Sequence, residues 1–140
     1  MQFTIYGEPV AKGRPKFSNR GGFVKAYTPA KTLNYENLVK VSFDEQVDKP
    51  IMMGEIIADI KAYFPIPKST SKKKEKLMLS GAIDHTKRPD ADNIAKTVLD
   101  ALNGRAFKDD SQIVCLIVEK HYSHEPRVEV RLTERVETKC

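Results

Sequence analysis

Between Glu55 and Phe64 the chain alternates: Ile56, Ala58, Ile60, Ala62 and Phe64 share one side, with Asp59, Lys61 and Tyr63 opposite. A period of two over that length fits an extended strand and no helix. It also demands a covering layer, because one side is apolar and the other is wetted. Pro65 and Pro67 end the run. Two shorter alternations supply neighbours for it. Phe3 and Ile5 share a face in Gln2 to Tyr6, and Val128, Val130 and Leu132 alternate with Glu129 and Arg131. A further strand is expected over Gln112 to Tyr122. Its first half is apolar on both faces, which predicts a central position in the sheet.

Helical spacing fills the intervals. Thr28-Pro29 reads as a cap and a first helical residue, and Tyr35, Leu38, Val39, Phe43 and Val47 follow at helical spacing, predicting a helix over roughly 29–47. STSKKKEKLMLSG predicts a short basic helix stopped by Gly81. A third helix runs from near Asp92 to Gly104. Before the first helix, EPVAKGRPKFSNRGGFVKAYTP reads as a long loop with a hairpin through Gly21-Gly22. The order β-α-β-α-α-β-β implies an α/β (α+β) fold, a mixed sheet with helices packed on it, in a single domain over residues 1–140.

The third helix carries the chemistry. Ala91, Ile94, Ala95, Val98, Ala101 and Leu102 form its apolar stripe, leaving Asp92, Lys96, Asp100 and Asn103 on the other side. Asp90 stands one step before the helix, and Asp109-Asp110 follows it by a short turn. Five aspartates thus crowd into one segment of a chain whose formal net charge is +5. Each has an ordinary explanation: a cap, a solvated i,i+4 ladder, a turn before a strand. Together they suit Mg²⁺ or Mn²⁺, which take hard carboxylate oxygens and waters. A cation held so beside lysines suits phosphodiester hydrolysis. Lys96, one turn after Asp92, is the candidate to offset charge on the phosphate, and a salt bridge to Asp92 or Asp100 is an equal alternative.

Zinc is disfavoured: Cys115 and Cys140 form no CxxC pair, and His85, His121 and His124 lack HxxxH spacing. The same cysteine usage suggests a reduced, cytoplasmic chain, and the longest apolar run, Ile113 to Val118, is too short to span a bilayer. The excess positive charge lies elsewhere. Seven Lys/Arg against two acids occupy residues 1–40, and six lysines against Glu75 alone occupy residues 61–76. Both groups are candidates to follow a polyanion, and both could equally be solvated faces.

The residues also carry a resemblance. Arg88-Pro89-Asp90-Ala91-Asp92-Asn93-Ile94-Ala95-Lys96, Leu99-Asp100-Ala101-Leu102 and Asp109-Asp110-Ser111-Gln112-Ile113 are similar to the RPDxDNxxK, LDAL and DDxQI signature of the RusA family of Holliday junction resolvases. Gly7-Glu8-Pro9, Lys12-Gly13-Arg14-Pro15 and Tyr27-Thr28-Pro29 agree more weakly. The resemblance implies a small homodimeric endonuclease that nicks four-way DNA junctions symmetrically, with Mg²⁺ as cofactor and Mn²⁺ as a substitute. It implies that Asp90, Asp92 and Asp110 ligate the metal and that Lys96 is catalytic. Asn93, Asp100 and Asp109 take supporting roles, Asn93 by orienting a ligating carboxylate. Lys12, Arg14, Lys16, Arg20, Lys87 and Arg88 are the expected DNA contacts, and Phe17 or Phe23 a candidate wedge at the junction centre. Asp109 is the alternative third ligand. Val128 to Leu132 is one candidate edge for pairing across a dimer. Other branched or linear DNA, or a silent DNA-binding module, are the competing readings.

Overall fold

The computed structural model describes residues 1–10, 16–18, 25–27 and 30–135. In chain order the elements are β1 (Gln2–Tyr6), β2 (Lys16–Ser18), β3 (Lys25–Tyr27), α1 (Ala30–Gln46), β4 (Ile56–Pro65), α2 (Lys72–Leu79), α3 (Ala91–Leu102), β5 (Ile113–Ser123) and β6 (Arg127–Glu134). A mixed sheet takes the order β1-β6-β4-β5. β4 runs parallel to β5 and antiparallel to β6, and β1 runs antiparallel to β6. β2 and β3 form a separate antiparallel pair, as the expected hairpin requires. The Gly21-Gly22 turn and Phe23 lie outside the described residues.

The alternation in β4 is realised residue by residue. Ile56, Ala58, Ile60, Ala62 and Phe64 are buried, and the residues between them are half-buried. Phe3, Ile5, Val128, Val130 and Leu132 extend the same apolar face. α1 and α3 cover it with Tyr35, Val39, Phe43, Ile94, Ala95, Val98, Leu99, Ala101 and Leu102. Phe3 and Phe43 meet edge to face, their ring centroids 5.4 Å apart. Burial raises the Tyr35 hydroxyl well above the usual phenol range.

Strand placement departs from the sequence reading in one respect. β5 is an edge strand, and β6, the expected edge, lies between β1 and β4. The apolar start of β5 is not enclosed: Val114, Leu116 and Ile117 are 47%, 47% and 42% exposed. The opposite edge, β1, is engaged at Thr4 by a side chain. Gln46 accepts from the Thr4 amide at 2.9 Å and donates to the Thr4 carbonyl at 2.7 Å, imitating a strand partner. Cys115 on β5 is disulfide-bonded, against the reduced chain expected; Cys140 lies outside the described residues. No helix among the described residues is long and apolar enough to cross a membrane.

Candidate active site

α3 is amphipathic, so its core stripe fixes the azimuth of the residues opposite. Ile94, Ala95, Val98 and Leu102 are essentially inaccessible to solvent, while Asp92 and Lys96 are exposed. Thr97 and Leu99 join the buried side, which widens the stripe beyond the sequence expectation. Asp90 occupies the N-cap position in an extended conformation, but its carboxylate accepts no capping hydrogen bond. That removes the ordinary explanation for Asp90. The i,i+4 ladder is missing as well, because Lys96 enters no ion pair among the described residues. Asn93 is half-buried; its carbonyl accepts from the Thr97 hydroxyl at 2.9 Å, and its side chain bonds neither Asp90 nor Asp92. Asp100 is half-buried further along the helix.

The loop that delivers Asp90 is pinned to the far end of β5 at three points. Asp84 meets His121 Nδ1 at 3.0 Å. His85 stacks on Phe64 with centroids 3.7 Å apart and meets Tyr122 edge-on at 5.4 Å. Lys120 Nζ donates to the Lys87 carbonyl at 2.7 Å. Burial, then the charges of Lys120 and Lys87, hold the His85 imidazole below its usual pKa. Lys87 and Arg88 are exposed beside the aspartates.

The second acidic pair is built by a different device. α3 ends at Leu102, and a tight turn follows in which Gly104, at φ 77°, donates to the Phe107 carbonyl at 2.8 Å. Phe107 is fully buried and anchors the turn. Asp109 then caps a single 3-10 turn over Asp110–Gln112, accepting from the Ser111 amide at 3.2 Å. The hydrogen bonds from Ser111, side chain first and then backbone, hold the Asp109 carboxyl below the usual carboxylate range. Gln112 completes the box. Its Oε1 accepts from the Lys108 and Asp109 amides at 2.8 and 3.1 Å, and its Nε2 donates to the Met52 and Gly54 carbonyls, both at 3.0 Å. The sequence reading quoted Gln112 without giving it a role. Asp-x-x-Gln is a capping-box spacing, and that was the available signal. Asp110 is exposed and its carboxylate has no partner among the described residues.

Truncating Phe107 tests whether this turn depends on the core. We expect Phe107→Ala to cost about 3–5 kcal/mol, read from the shift in urea midpoint at constant slope. A cost under about 1 kcal/mol would mean the turn holds through Gln112 alone.

The two acidic groups do not meet within one chain. Asp90 lies toward the Lys120 end of β5, and Asp110 lies at its Ile113 end, where β5 begins beside Ile56. α3, with its 12 residues, spans about 18 Å between them. Consistently, no three of His, Cys, Asp and Glu gather as a metal site among the described residues. The donor chemistry of Asp90, Asp92 and Asp110 fits a hard divalent cation, but one chain offers the donors in two separate places. Of the expected DNA contacts, Lys12, Arg14 and Arg20 lie outside the described residues, and Lys16 opens β2, with only its backbone described.

Two comparisons bear on this arrangement. A protein of Bacillus subtilis (strain 168) described as "Uncharacterized protein YqaN" is 46% identical over 136 residues, covering 96% of each chain. The sequence model for "Endodeoxyribonuclease RusA" matches residues 6–133, which include β4, the exposed aspartates of α3 and the Asp109–Gln112 box. By that match the chain belongs to the RusA endodeoxyribonuclease family.

Proposed function

We propose that the protein is a cytoplasmic, divalent-metal-dependent endodeoxyribonuclease that resolves four-way DNA junctions by paired nicks as a homodimer, within one domain. The observation that carries this reading is the division of labour among the aspartates. Asp109 is committed to its cap, whereas among the described residues the exposed carboxylates of Asp90, Asp92 and Asp110 are unengaged, and Lys96, one turn after Asp92, enters no ion pair. Repelling charges left without partners are what a cation site requires before the cation arrives. This favours Asp110 over Asp109 as the third ligand.

Asp90 and Asp92 of one copy and Asp110 of a second copy would hold the ion. The exposed start of β5 offers the contact. Antiparallel pairing of two β5 strands about a dyad near Leu116 sets each Ile113 end beside the other's Lys120 end. Each Asp110 then approaches the other copy's Lys87–Asp92 segment. Bound Mg²⁺ would supply positive charge at the scissile phosphate and acidify a water. Lys96 offsets charge on the phosphate oxygens, and Lys87 and Arg88 orient the strand entering the site. Two sites related by a two-fold axis would suit two symmetric nicks.

The test is a labelled synthetic four-way junction beside a linear duplex of the same sequences, each with Mg²⁺ or with EDTA. Paired, metal-dependent nicks in the junction alone are expected. Cutting of both substrates would keep the nuclease and discard junction specificity. Absence of cutting in either metal would discard the nuclease.

A further inference from the structure

α2 is an eight-residue helix with a charge pattern that its own packing does not use. Lys72, Lys73, Lys74 and Lys76 are exposed, as is Lys68 just before the helix. Among the described residues none of these lysines forms an ion pair. The one acid on the helix, Glu75, is taken by His124 at 3.1 Å. Like charges at i,i+4, such as Lys72 and Lys76, weaken an isolated helix. Met78 is the only residue of α2 that is buried.

The position of α2 gives this charge a direction. The Glu75–His124 contact holds the helix at the far end of β5, four residues beyond Lys120 and so within about 13 Å of it along extended chain. From the helix C-terminus, where Ala82 and Ile83 donate to the Leu77 carbonyl, the chain runs directly into the pinned loop that ends at Asp90. The α2 lysines and the two exposed aspartates therefore lie at the same end of the sheet.

We propose that α2 is the grip for one duplex arm of the DNA substrate, its lysines meeting backbone phosphates while that arm leads to Asp90 and Asp92. The inference rests on the nuclease reading of that site and adds the surface by which the substrate is held. α2 is about 12 Å long, and a duplex carries a charge every ~1.7 Å of axis, so several phosphates fall within reach of the helix. Phosphate contacts of this kind are independent of sequence and fix the position of the duplex. A lipid surface fits less well. Leu77 and Leu79 are 40% and 47% exposed but are only two apolar side chains on a two-turn helix, against the broad apolar face that interfacial helices bury.

The variant Lys72→Gln/Lys73→Gln/Lys74→Gln keeps good helix formers while removing three charges. Binding of a four-way junction is measured in EDTA across a salt series, beside the thermal melt and cleavage at saturating DNA in Mg²⁺. We expect the slope of log K against log salt to fall by about two to three, since each phosphate contact contributes close to one. Affinity at physiological salt should drop at least tenfold, with the melt and the saturated cleavage rate unchanged. An unchanged slope and affinity in the variant, with the unmodified chain binding and cutting normally, would overturn the α2 grip alone. An unmodified chain that neither binds nor cuts DNA would remove the nuclease reading itself. Loss of binding to phosphatidylserine vesicles with junction affinity intact would make α2 a membrane-surface helix and overturn the proposal.

Discussion

Asp92→Asn is expected to abolish strand cleavage and to leave junction binding intact. The substitution keeps the size and shape of the side chain and removes one charge from a carboxylate that is exposed and makes no hydrogen bond among the described residues. Folding therefore loses little, and the usual surface range of about ±0.5 kcal/mol applies. On the proposed site the cation would lose a ligand. Residues that merely orient a ligand are worth about 10- to 100-fold, so removing the ligand itself costs on the order of a thousandfold or more in cleavage. DNA affinity holds or rises slightly, because a negative charge facing phosphates has gone. The check pairs single-turnover cleavage in Mg²⁺ with a binding titration in EDTA. Loss of both would assign Asp92 to docking or folding.

Mixing two inactive variants is expected to restore activity. Asp92→Asn and Asp110→Asn are each inactive alone if every site draws Asp90 and Asp92 from one chain and Asp110 from the other. In a mixed dimer both defects fall in one of the two sites. The other site receives an intact Asp92 and an intact Asp110. With free exchange of subunits, about a quarter of all sites are restored, and a mixed dimer nicks one strand rather than two. The measurement is nicking by the co-refolded mixture on a junction labelled on each candidate strand. A mixture as inactive as its parents would return all three carboxylates to a single chain. The ~18 Å of helix between Asp90 and Asp110 argues for the first outcome.

Much of this was legible beforehand, for local reasons. The period-two run in β4, the α3 stripe and the Gly stops at Gly81 and Gly104 each report a constraint that acts within a few residues. The sheet order was not legible in the same way. An apolar run reads alike whether it is enclosed by neighbours or left at an edge, so β5 read as central although its start is open. The acidic residues were found by spacing, but spacing along a chain says nothing about which end of a helix the chain returns to. Asp90 and Asp110 read as one cluster and stand at opposite ends of α3. The capping role of Asp109 is local and lay within the Asp-x-x-Gln spacing.

The two margins of the sheet differ in kind, and the difference limits how far it can grow. A sheet with both margins bare can add copies without end, as fibres do. Here the Gln46 carboxamide occupies the margin at Thr4 with the two hydrogen bonds a further strand would need. The β5 margin is the one on which we propose that a copy docks, and a copy docked there would cover the margin it brought. In the dimer proposed above, growth of the sheet by this route would stop at two.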